Sequence, residues 1–310
     1  MNWISKYIKP KIKSLLKRQS KKTEDSLWVA CDCQEPIFKE DLVKNLYVCP
    51  KCQKCHKLSS RERFDIFFDE GNYEIIEVQK LSDDPLQFED RIKYKDRLKA
   101  AREKTNQHDA MLAAKGKVNG INVTCTAQNF DFIGGSFGIQ SCEVFIQAVK
   151  SAIENKTPLV SFASTGGIRL MESAIGLQSM PKSLIAVSDL KANRIPYIVV
   201  FSEPAVTGGC MASWAGMSDV AISEPGIKNL GFAGKIVIKN TIGGSDLPED
   251  FQHTSSVFKF GKIDAIVKRK DLKDTISNLL KILLKVEEKN INANDSNVVK
   301  IDDPLQKSTA

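Results

Sequence analysis

The amino-acid sequence predicts an α/β domain preceded by a small metal-stabilised module. Two observations lead to this fold class. Cysteines cluster between residues 31 and 56, and beyond residue 115 strand-sized apolar runs alternate with helical patterns, with glycine pairs at the joints. With 310 residues and 42% hydrophobic content, the chain can support the module and one large domain with a substantial core.

The cysteine cluster has the spacing of a zinc ribbon. Cys31 and Cys33 form one close pair, and Cys49 and Cys52 form a second, far enough away for a hairpin to bring both pairs to one tetrahedral ion. A ribbon of this size cannot bury enough apolar surface to fold alone. Metal coordination must therefore supply much of its folding free energy.

The sequence leaves the fourth zinc ligand open. The first pair is Cys-x-Cys, one residue shorter than the usual knuckle, so Cys55 or His56 is an alternative fourth ligand. A set of buried or redox cysteines without metal is the other alternative.

The scattered thiols Cys125, Cys142 and Cys210 lie in apolar stretches, as expected of a reduced, cytoplasmic protein.

The basic character of the chain belongs to its N-terminal tail. The formal net charge is +7, but residues 1–22 carry eight Lys or Arg and no acid, which leaves the rest at about −1. A solvated tail is the expected interpretation, with contact to RNA, anionic lipid or an acidic partner, or a targeting role, as alternatives. No apolar run approaches the roughly 20 residues of a membrane-spanning helix.

The order of elements after the ribbon predicts the main domain. Residues 61–104 read as short helices around an extended piece at Tyr73–Val78. A buried strand follows at Pro158–Ser164, then Gly166-Gly167, and then a helix from Leu170 to Asn193 despite Pro181. The pattern occurs again with a strand at Ile195–Ser202, the pair Gly208-Gly209 and a small-residue helix at Cys210–Met217. The order strand, glycine pair, helix thus occurs twice.

Glycine pairs in this position predict an oxyanion hole. Glycine permits a sharp turn and leaves the backbone N–H groups accessible, and a helix start adds partial positive charge. Tight turns without a ligand are the alternative. The sequence has no Walker A or Gly-x-Gly-x-x-Gly pattern, and with His56, His108 and His253 as its only histidines it offers little support for a Ser/His/Asp hydrolase.

Several segments of the chain together have the pattern of a known family. In order, they are Met1–Ile4, Trp28–Cys31, Asn45–Cys52, Tyr94–Leu98, Asn129–Gly138, Ser164–Arg169, Thr207–Gly209, Ser223–Pro225 and Gly231–Gly234. With these segments, the chain resembles the beta subunit of the bacterial-type acetyl-CoA carboxylase carboxyltransferase over nearly its whole length. The resemblance excludes only the last 20 or so residues.

This resemblance implies a crotonase-like fold of stacked β-β-α units preceded by an N-terminal zinc ribbon with four cysteine ligands. It divides the chain into a basic tail (1–26), the ribbon (27–57), the carboxyltransferase domain (58–289) and a polar tail (290–310). The implied reaction transfers the carboxyl group from carboxybiotin on a carrier protein to acetyl-CoA, giving malonyl-CoA. The site would be shared with a separate alpha subunit, in an α2β2 assembly that works with the biotin carboxyl carrier protein and biotin carboxylase.

The resemblance also assigns roles to individual residues. Oxyanion donors are expected at Gly166, Gly167, Gly208 and Gly209, and Zn²⁺ at Cys31, Cys33, Cys49 and Cys52. Arg169 is expected to bind the substrate, with a solvated or salt-bridged arginine as its alternative. Departures from the family pattern at Ile168 and between Pro204 and Thr207 leave open a non-catalytic scaffold, and the ribbon with Lys6 to Lys22 leaves open nucleic-acid binding.

Overall fold

The computed structural model describes residues 27–244 and 246–285. The tails predicted at 1–26 and 290–310 therefore lie outside the described residues, as does the basic segment Lys6 to Lys22. Within the described part, no helix has the length and apolar character needed to cross a bilayer.

The N-terminal module is a hairpin followed by a short helix. Strand β1 (Trp28–Ala30) pairs antiparallel with β2 (Pro36–Phe38), and α1 (Lys39–Lys44) follows directly. The buried core of the module consists of Cys31, Ile37, Leu42 and Cys49. So small an apolar core gives little folding free energy, which agrees with a module that depends on a metal.

An eight-stranded sheet forms the centre of the main domain. The strands are β3 (Tyr73–Ile75), β4 (Met111–Val118), β5 (Ile121–Gln128), β6 (Leu159–Thr165), β7 (Tyr197–Thr207), β8 (Val220–Ser223), β9 (Leu230–Gly231) and β10 (Ala265–Ile266). Their order is β10-β8-β7-β6-β5-β4-β3, with β9 beside the end of β7. Strands β3 to β5 are antiparallel neighbours, and β5 to β10 pair in parallel.

Helices pack on both faces of the sheet. They are α2 (Ser60–Phe67), α3 (Tyr94–Thr105), α4 (Ile139–Asn155), α5 (Ser173–Leu177), α6 (Ser179–Ala192), α7 (Lys235–Thr241), α8 (Thr254–Lys259) and α9 (Leu272–Leu283). On β7, Tyr197, Val199 and Phe201 join a core with α4 and α6, whereas Ile198 and Val200 join a second core with α2 and α9. This alternation follows from the two-residue period of a strand buried on both faces.

The predicted strands are confirmed, and the predicted helices after the glycine pairs are wrong. The strand predicted at 158–164 is β6, and the strand predicted at 195–202 is β7, which continues to Thr207. The helix predicted from Leu170 to Asn193 is a 3-10 turn at Leu170–Glu172 followed by α5 and α6. Ser173 interrupts it with a φ of 47°. Pro181 lies in the first turn of α6, where its missing N–H costs no helix bond.

The segment 210–217 is also irregular rather than helical. Two 3-10 turns, Gly208–Cys210 and Trp214–Met217, replace the predicted small-residue helix. Trp214 is fully buried and its ring lies against Phe137 and Phe145.

Candidate active site

The two glycine pairs predicted from the sequence meet at one edge of the sheet. Gly166 and Gly167 follow β6, and Gly208 and Gly209 follow its parallel neighbour β7. A Cβ atom built on Gly208 would lie 2.9 Å from the Cα of Gly167, closer than real side chains tolerate. Both residues also have positive φ, +117° at Gly167 and +68° at Gly208. Contact and conformation therefore both require glycine here.

Three of the four glycine N–H groups are hydrogen-bonded within the chain. Gly166 donates to the carbonyl of Gly134 (2.9 Å), and Gly208 donates to the carbonyl of Phe232 (2.6 Å). Gly167 donates to the threonine hydroxyl two residues before it (3.0 Å). These bonds hold the two loops in place, and they occupy donors that the sequence assigned to an oxyanion.

Two neighbouring N–H groups have no such acceptor. Among the described residues, the N–H of Gly209 has no acceptor outside its own turn. The N–H of Ile168 likewise has no acceptor among the described residues. The nitrogen of Ile168 lies 3.8 Å from the position of a Cβ on Gly208, and Ile168 and Gly209 are both half-buried. Ile168 was not among the donors predicted from the sequence, although its place directly after a glycine pair was an available signal.

Cys210 lies beside the glycine loops but is not an activated nucleophile. Its Sγ is 3.7 Å from the Oγ1 of Thr165, and the residue is fully buried. Burial raises the pKa of the Cys210 thiol to about 12, so it stays protonated at neutral pH. The chemistry that this arrangement supports is therefore stabilisation of a developing oxyanion by backbone donors.

A second loop supports the glycine pair after β7. The side-chain amide of Gln252 donates to the carbonyl of Ala233 (2.6 Å), and its backbone carbonyl accepts from the N–H of Leu230 (2.9 Å). These contacts fix the segment that presents the Phe232 carbonyl to Gly208. Through its contacts with Leu230 and Ala233, Gln252 therefore holds the segment on either side of Phe232 in place.

Arg169 lies in a buried ion-pair network and not at the site surface. Its guanidinium makes a bidentate contact with Asp109 (2.6 and 2.9 Å) and donates to Tyr94 (3.2 Å). The remaining N–H groups go to the hydroxyl (3.0 Å) and carbonyl (2.6 Å) of Ser136. All five donors are thus used inside the protein. The structure thus shows the salt-bridged arginine expected from the sequence as the alternative, and the expected substrate contact of Arg169 stays a prediction.

The same network stabilises the loop after the first glycine pair. Glu172 accepts from Tyr94 (2.7 Å) and from the N–H of Ile139 (2.6 Å), and it lies 3.5 Å from Arg169. Asp109 is buried, which opposes ionisation, but Arg169 beside it keeps the pKa of this carboxyl below its ordinary value. No local pattern in the sequence marks Asp109, which is 60 residues away from its partner.

The four predicted zinc ligands come together in the ribbon. The sulfur atoms of Cys31, Cys33, Cys49 and Cys52 all lie within 4.8 Å of one another. The Cys31–Cys52 distance is 3.6 Å and the Cys33–Cys49 distance is 3.8 Å. A tetrahedral site with Zn–S bonds of about 2.3 Å requires sulfur separations of roughly 3.8 Å, so the residues fit Zn²⁺. In the described residues this group includes neither of the alternative ligands predicted at 55 and 56.

Arg269 connects the ribbon to the main domain. Its guanidinium donates to the carbonyls of Leu46 (3.2 Å) and Tyr47 (3.1 Å) in the ribbon, and to both carboxylate oxygens of Glu224 (2.7 and 2.8 Å). Arg63 also donates to Glu224 (2.8 Å). Burial alone would raise the pKa of Glu224, but the two arginines lower it to about 2. The ribbon is thus attached to a buried cluster whose carboxylate is ionised at neutral pH.

Two family models match the chain. The carboxyl transferase domain matches residues 57–307, and the acetyl-CoA carboxylase zinc finger domain matches residues 28–52. An acetyl-coenzyme A carboxylase carboxyl transferase subunit beta from Pelagibacter ubique is 45% identical over 289 residues, which is 92% of each chain. The protein of the same name from Bartonella quintana is 40% identical over 311 residues and covers 100% of each chain.

Solved structures show the same fold. A Pseudomonas malonate decarboxylase heterodimer gives a TM-score of 0.55 at 23% identity, covering 74% of this chain and 86% of that chain. Transcarboxylase 12S gives 0.54 at 20% identity, covering 73% and 41%. This likeness confirms the predicted crotonase-like fold. The matches along the sequence show further that the chain belongs to the family of acetyl-CoA carboxylase carboxyl transferase beta subunits.

Proposed function

We propose that this chain forms one half of a carboxyltransferase site that converts acetyl-CoA to malonyl-CoA with the carboxyl group of carboxybiotin. One observation carries the proposal. Two glycine loops at the ends of β6 and β7 lie in backbone contact and leave the N–H groups of Ile168 and Gly209 without acceptors outside their own turns in the described chain. Paired backbone donors of this kind stabilise oxyanions in acyl-transfer chemistry.

The four predicted glycines then divide into two roles. Gly209 donates, whereas Gly166, Gly167 and Gly208 shape the loops through their own hydrogen bonds. Negative charge develops on the thioester oxygen of acetyl-CoA when its methyl group loses a proton. Donors at Ile168 and Gly209 stabilise that charge without having to reorganise. When bound, the biotin of the carrier protein supplies the carboxyl group and the ureido nitrogen that takes up the proton.

A partner chain completes the site in this proposal. Large apolar side chains next to the glycine loops are exposed: Leu170 at 84% and Phe232 at 63%. Exposed apolar groups close to a polar backbone site are typical of a protein interface. The expected partner is a carboxyltransferase alpha subunit, in an α2β2 assembly that receives the biotin carboxyl carrier protein charged by biotin carboxylase.

Zinc has a structural role in the proposal. The four ribbon thiolates would hold Zn²⁺ in a closed tetrahedral site, which leaves no position for substrate. The reaction is assigned to the cytoplasm, in keeping with thiols that form no disulfide among the described residues.

The test is malonyl-CoA formation from acetyl-CoA and a carboxybiotin donor. We expect no product from the purified chain alone and product when the organism's alpha subunit is added, because half of a shared site is inert. A complex that forms with zinc bound but makes no product would contradict the catalytic proposal and favour a non-catalytic scaffold.

A further inference from the structure

The backbone of Phe137 determines which way the N–H of Ile168 points. Phe137 donates its N–H to the carbonyl of Gly167 (2.8 Å), and its own carbonyl accepts from the N–H of Arg169 (3.1 Å). In a parallel bridge of this kind, the residue between the two bonded positions directs its N–H and carbonyl to the opposite side. The N–H of Ile168 therefore points away from Phe137, and any shift of Phe137 would turn it.

Two side chains hold the chain on both sides of Phe137. Arg169 donates to the hydroxyl (3.0 Å) and the carbonyl (2.6 Å) of Ser136. Glu172 accepts from the N–H of Ile139, the first residue of α4 (2.6 Å). Both side chains are buried, so water does not compete for these hydrogen bonds. Arg169 and Glu172 together are called the clamp below.

The clamp is itself fixed from outside its loop. Asp109 binds the guanidinium of Arg169 through both carboxylate oxygens (2.6 and 2.9 Å). The hydroxyl of Tyr94 donates to Glu172 (2.7 Å) and accepts from Arg169 (3.2 Å). Side chains whose rotamers are locked by such partners hold a catalytic group in one geometry. The clamp therefore connects α3 and β4 to the proposed oxyanion site.

Gly138 provides the space that the clamp needs. A Cβ atom built on Gly138 would lie 2.5 and 2.6 Å from the two carboxylate oxygens of Glu172. The φ of Gly138 is −107°, which any residue adopts, so the requirement is for space and not for conformation. A methyl group at this position would push the carboxylate away from Ile139 without removing it.

We infer that Arg169 and Glu172 are positioning residues for carboxyl transfer, because by holding Phe137 they aim the N–H of Ile168 at the oxyanion. The inference rests on the proposed function, which makes this N–H an oxyanion donor. In this role the two side chains act through Ile168 and need no contact with substrate. Since an oxyanion donor acts mainly in the transition state, disturbing the clamp lowers kcat and leaves KM for acetyl-CoA nearly unchanged.

The first test displaces the carboxylate of Glu172 by substitution at Gly138. In the assembled complex with the alpha subunit, Gly138→Ala should lower kcat about 10- to 10²-fold, because a displacement of about 1 Å can cost that much. Gly234→Ala is the matched control, since its φ is also negative and its Cβ meets open space, and it should keep the wild-type kcat. Wild-type kcat in Gly138→Ala would overturn the inference.

The second test uses rescue to separate positioning from stability. Glu172→Ala should show the loss of kcat, whereas Glu172→Gln should recover most of it, because the amide oxygen can still accept from Ile139. Leu280→Ala is the stability control: it empties part of the core on the other face of the sheet from Phe137. It should lower the urea midpoint and keep the kcat of the assembled complex.

Two results of this comparison would overturn the inference. An equal loss of kcat in Leu280→Ala and Glu172→Ala would reduce the clamp to a contribution to stability. A raised KM for acetyl-CoA with unchanged kcat in Glu172→Ala would show that the network serves substrate binding instead.

Hydrogen exchange tests the clamp without turnover. In the full zinc-loaded chain, Gly138→Ala should speed exchange at the amides of Phe137 and Ile139, and Gly234→Ala should not. Unchanged exchange in Gly138→Ala would overturn the inference. Kinetics then separate its failure from failure of the proposed function. Loss of kcat in Gly208→Val but not in Gly138→Ala would overturn only the clamp, and wild-type kcat in both would overturn the oxyanion site as well.

Discussion

Gly208 and Gly167 lie so close that a Cβ atom on Gly208 would be 2.9 Å from the Cα of Gly167. The two residues belong to loops that follow different strands, and 41 positions separate them in the sequence. Their contact brings the N–H of Ile168, which has no acceptor within residues 27–244 and 246–285, next to the turn that contains Gly209. The backbone geometry of the proposed oxyanion site therefore depends on glycine at both positions.

Removing the charge of Asp109 should destabilise the main domain. The substitution Asp109→Asn leaves the buried guanidinium of Arg169 without its bidentate partner, and losing one partner of a buried ion pair costs about 3 to 5 kcal/mol. Urea unfolding of the zinc-loaded chain measures this loss. The control is Asp131→Asn, whose partially exposed pairs with Lys57 and Lys104 should contribute at most about 1 kcal/mol. Equal losses in the two variants would refute the structural role of Arg169.

The four-cysteine site makes a prediction about metal content. The variant Cys49→Ser should lose most of its zinc, because three thiolates and a hydroxyl hold the ion much more weakly. The variant Cys55→Ser should keep one zinc per chain, since the Cys55 sulfur is not part of the cluster. Metal analysis after dialysis measures both. Zinc loss from Cys55→Ser would show that the ligand set is different.

Loss of zinc should also loosen the contact between ribbon and domain. The carbonyls of Leu46 and Tyr47, which Arg269 binds, are directly before the second cysteine pair. Hydrogen exchange should therefore increase at residues 46–55 in Cys49→Ser while the strands β5 and β6 stay protected. Exchange that rises equally throughout the main domain would contradict this local coupling.

Glu224 gives a prediction for acid stability. Its pKa falls from an ordinary 4.5 to about 2 on folding, so its ionised form stabilises the folded state above pH 4.5 and this contribution disappears as the pH falls toward 2. The variant Glu224→Gln lacks the contribution. The difference in unfolding free energy between wild type and variant should be large and constant above pH 4.5 and should shrink below it. A difference independent of pH would contradict the assignment.

Local patterns in the sequence predicted the strands and the glycine pairs. Apolar runs and Gly-Gly punctuation are short-range features, so β6, β7 and the two loops after them could be located correctly. The four ribbon cysteines were likewise found from spacing. The two glycine loops come into contact because the carboxyl ends of neighbouring parallel strands share one edge of the sheet.

Contacts between distant parts of the chain determine features of the structure that local sequence patterns could not predict. The helix predicted from Leu170 is broken because Arg169 and Glu172 turn inward to Asp109 and Tyr94, which come from distant parts of the chain. The donors of Arg169, a residue beside the glycine pair, are all occupied by partners within the protein, some of them distant in sequence. Hydrogen bonding within the loops likewise determined which N–H groups remain free, and residue types alone do not reveal this.

In the proposed mechanism the touching glycine loops supply the oxyanion donors, and a comparison of kcat between two glycine variants checks this role. In the complex with the alpha subunit, Gly208→Val should cover the N–H of Ile168 and lower kcat for carboxyl transfer about 10²- to 10³-fold, the usual effect of losing one oxyanion donor. The control Gly234→Ala has open space around its Cβ and a φ of −61°, so it should retain activity. Both variants should still assemble and bind zinc. An assembled Gly208→Val complex with wild-type kcat would show that these loops do not supply the oxyanion donors.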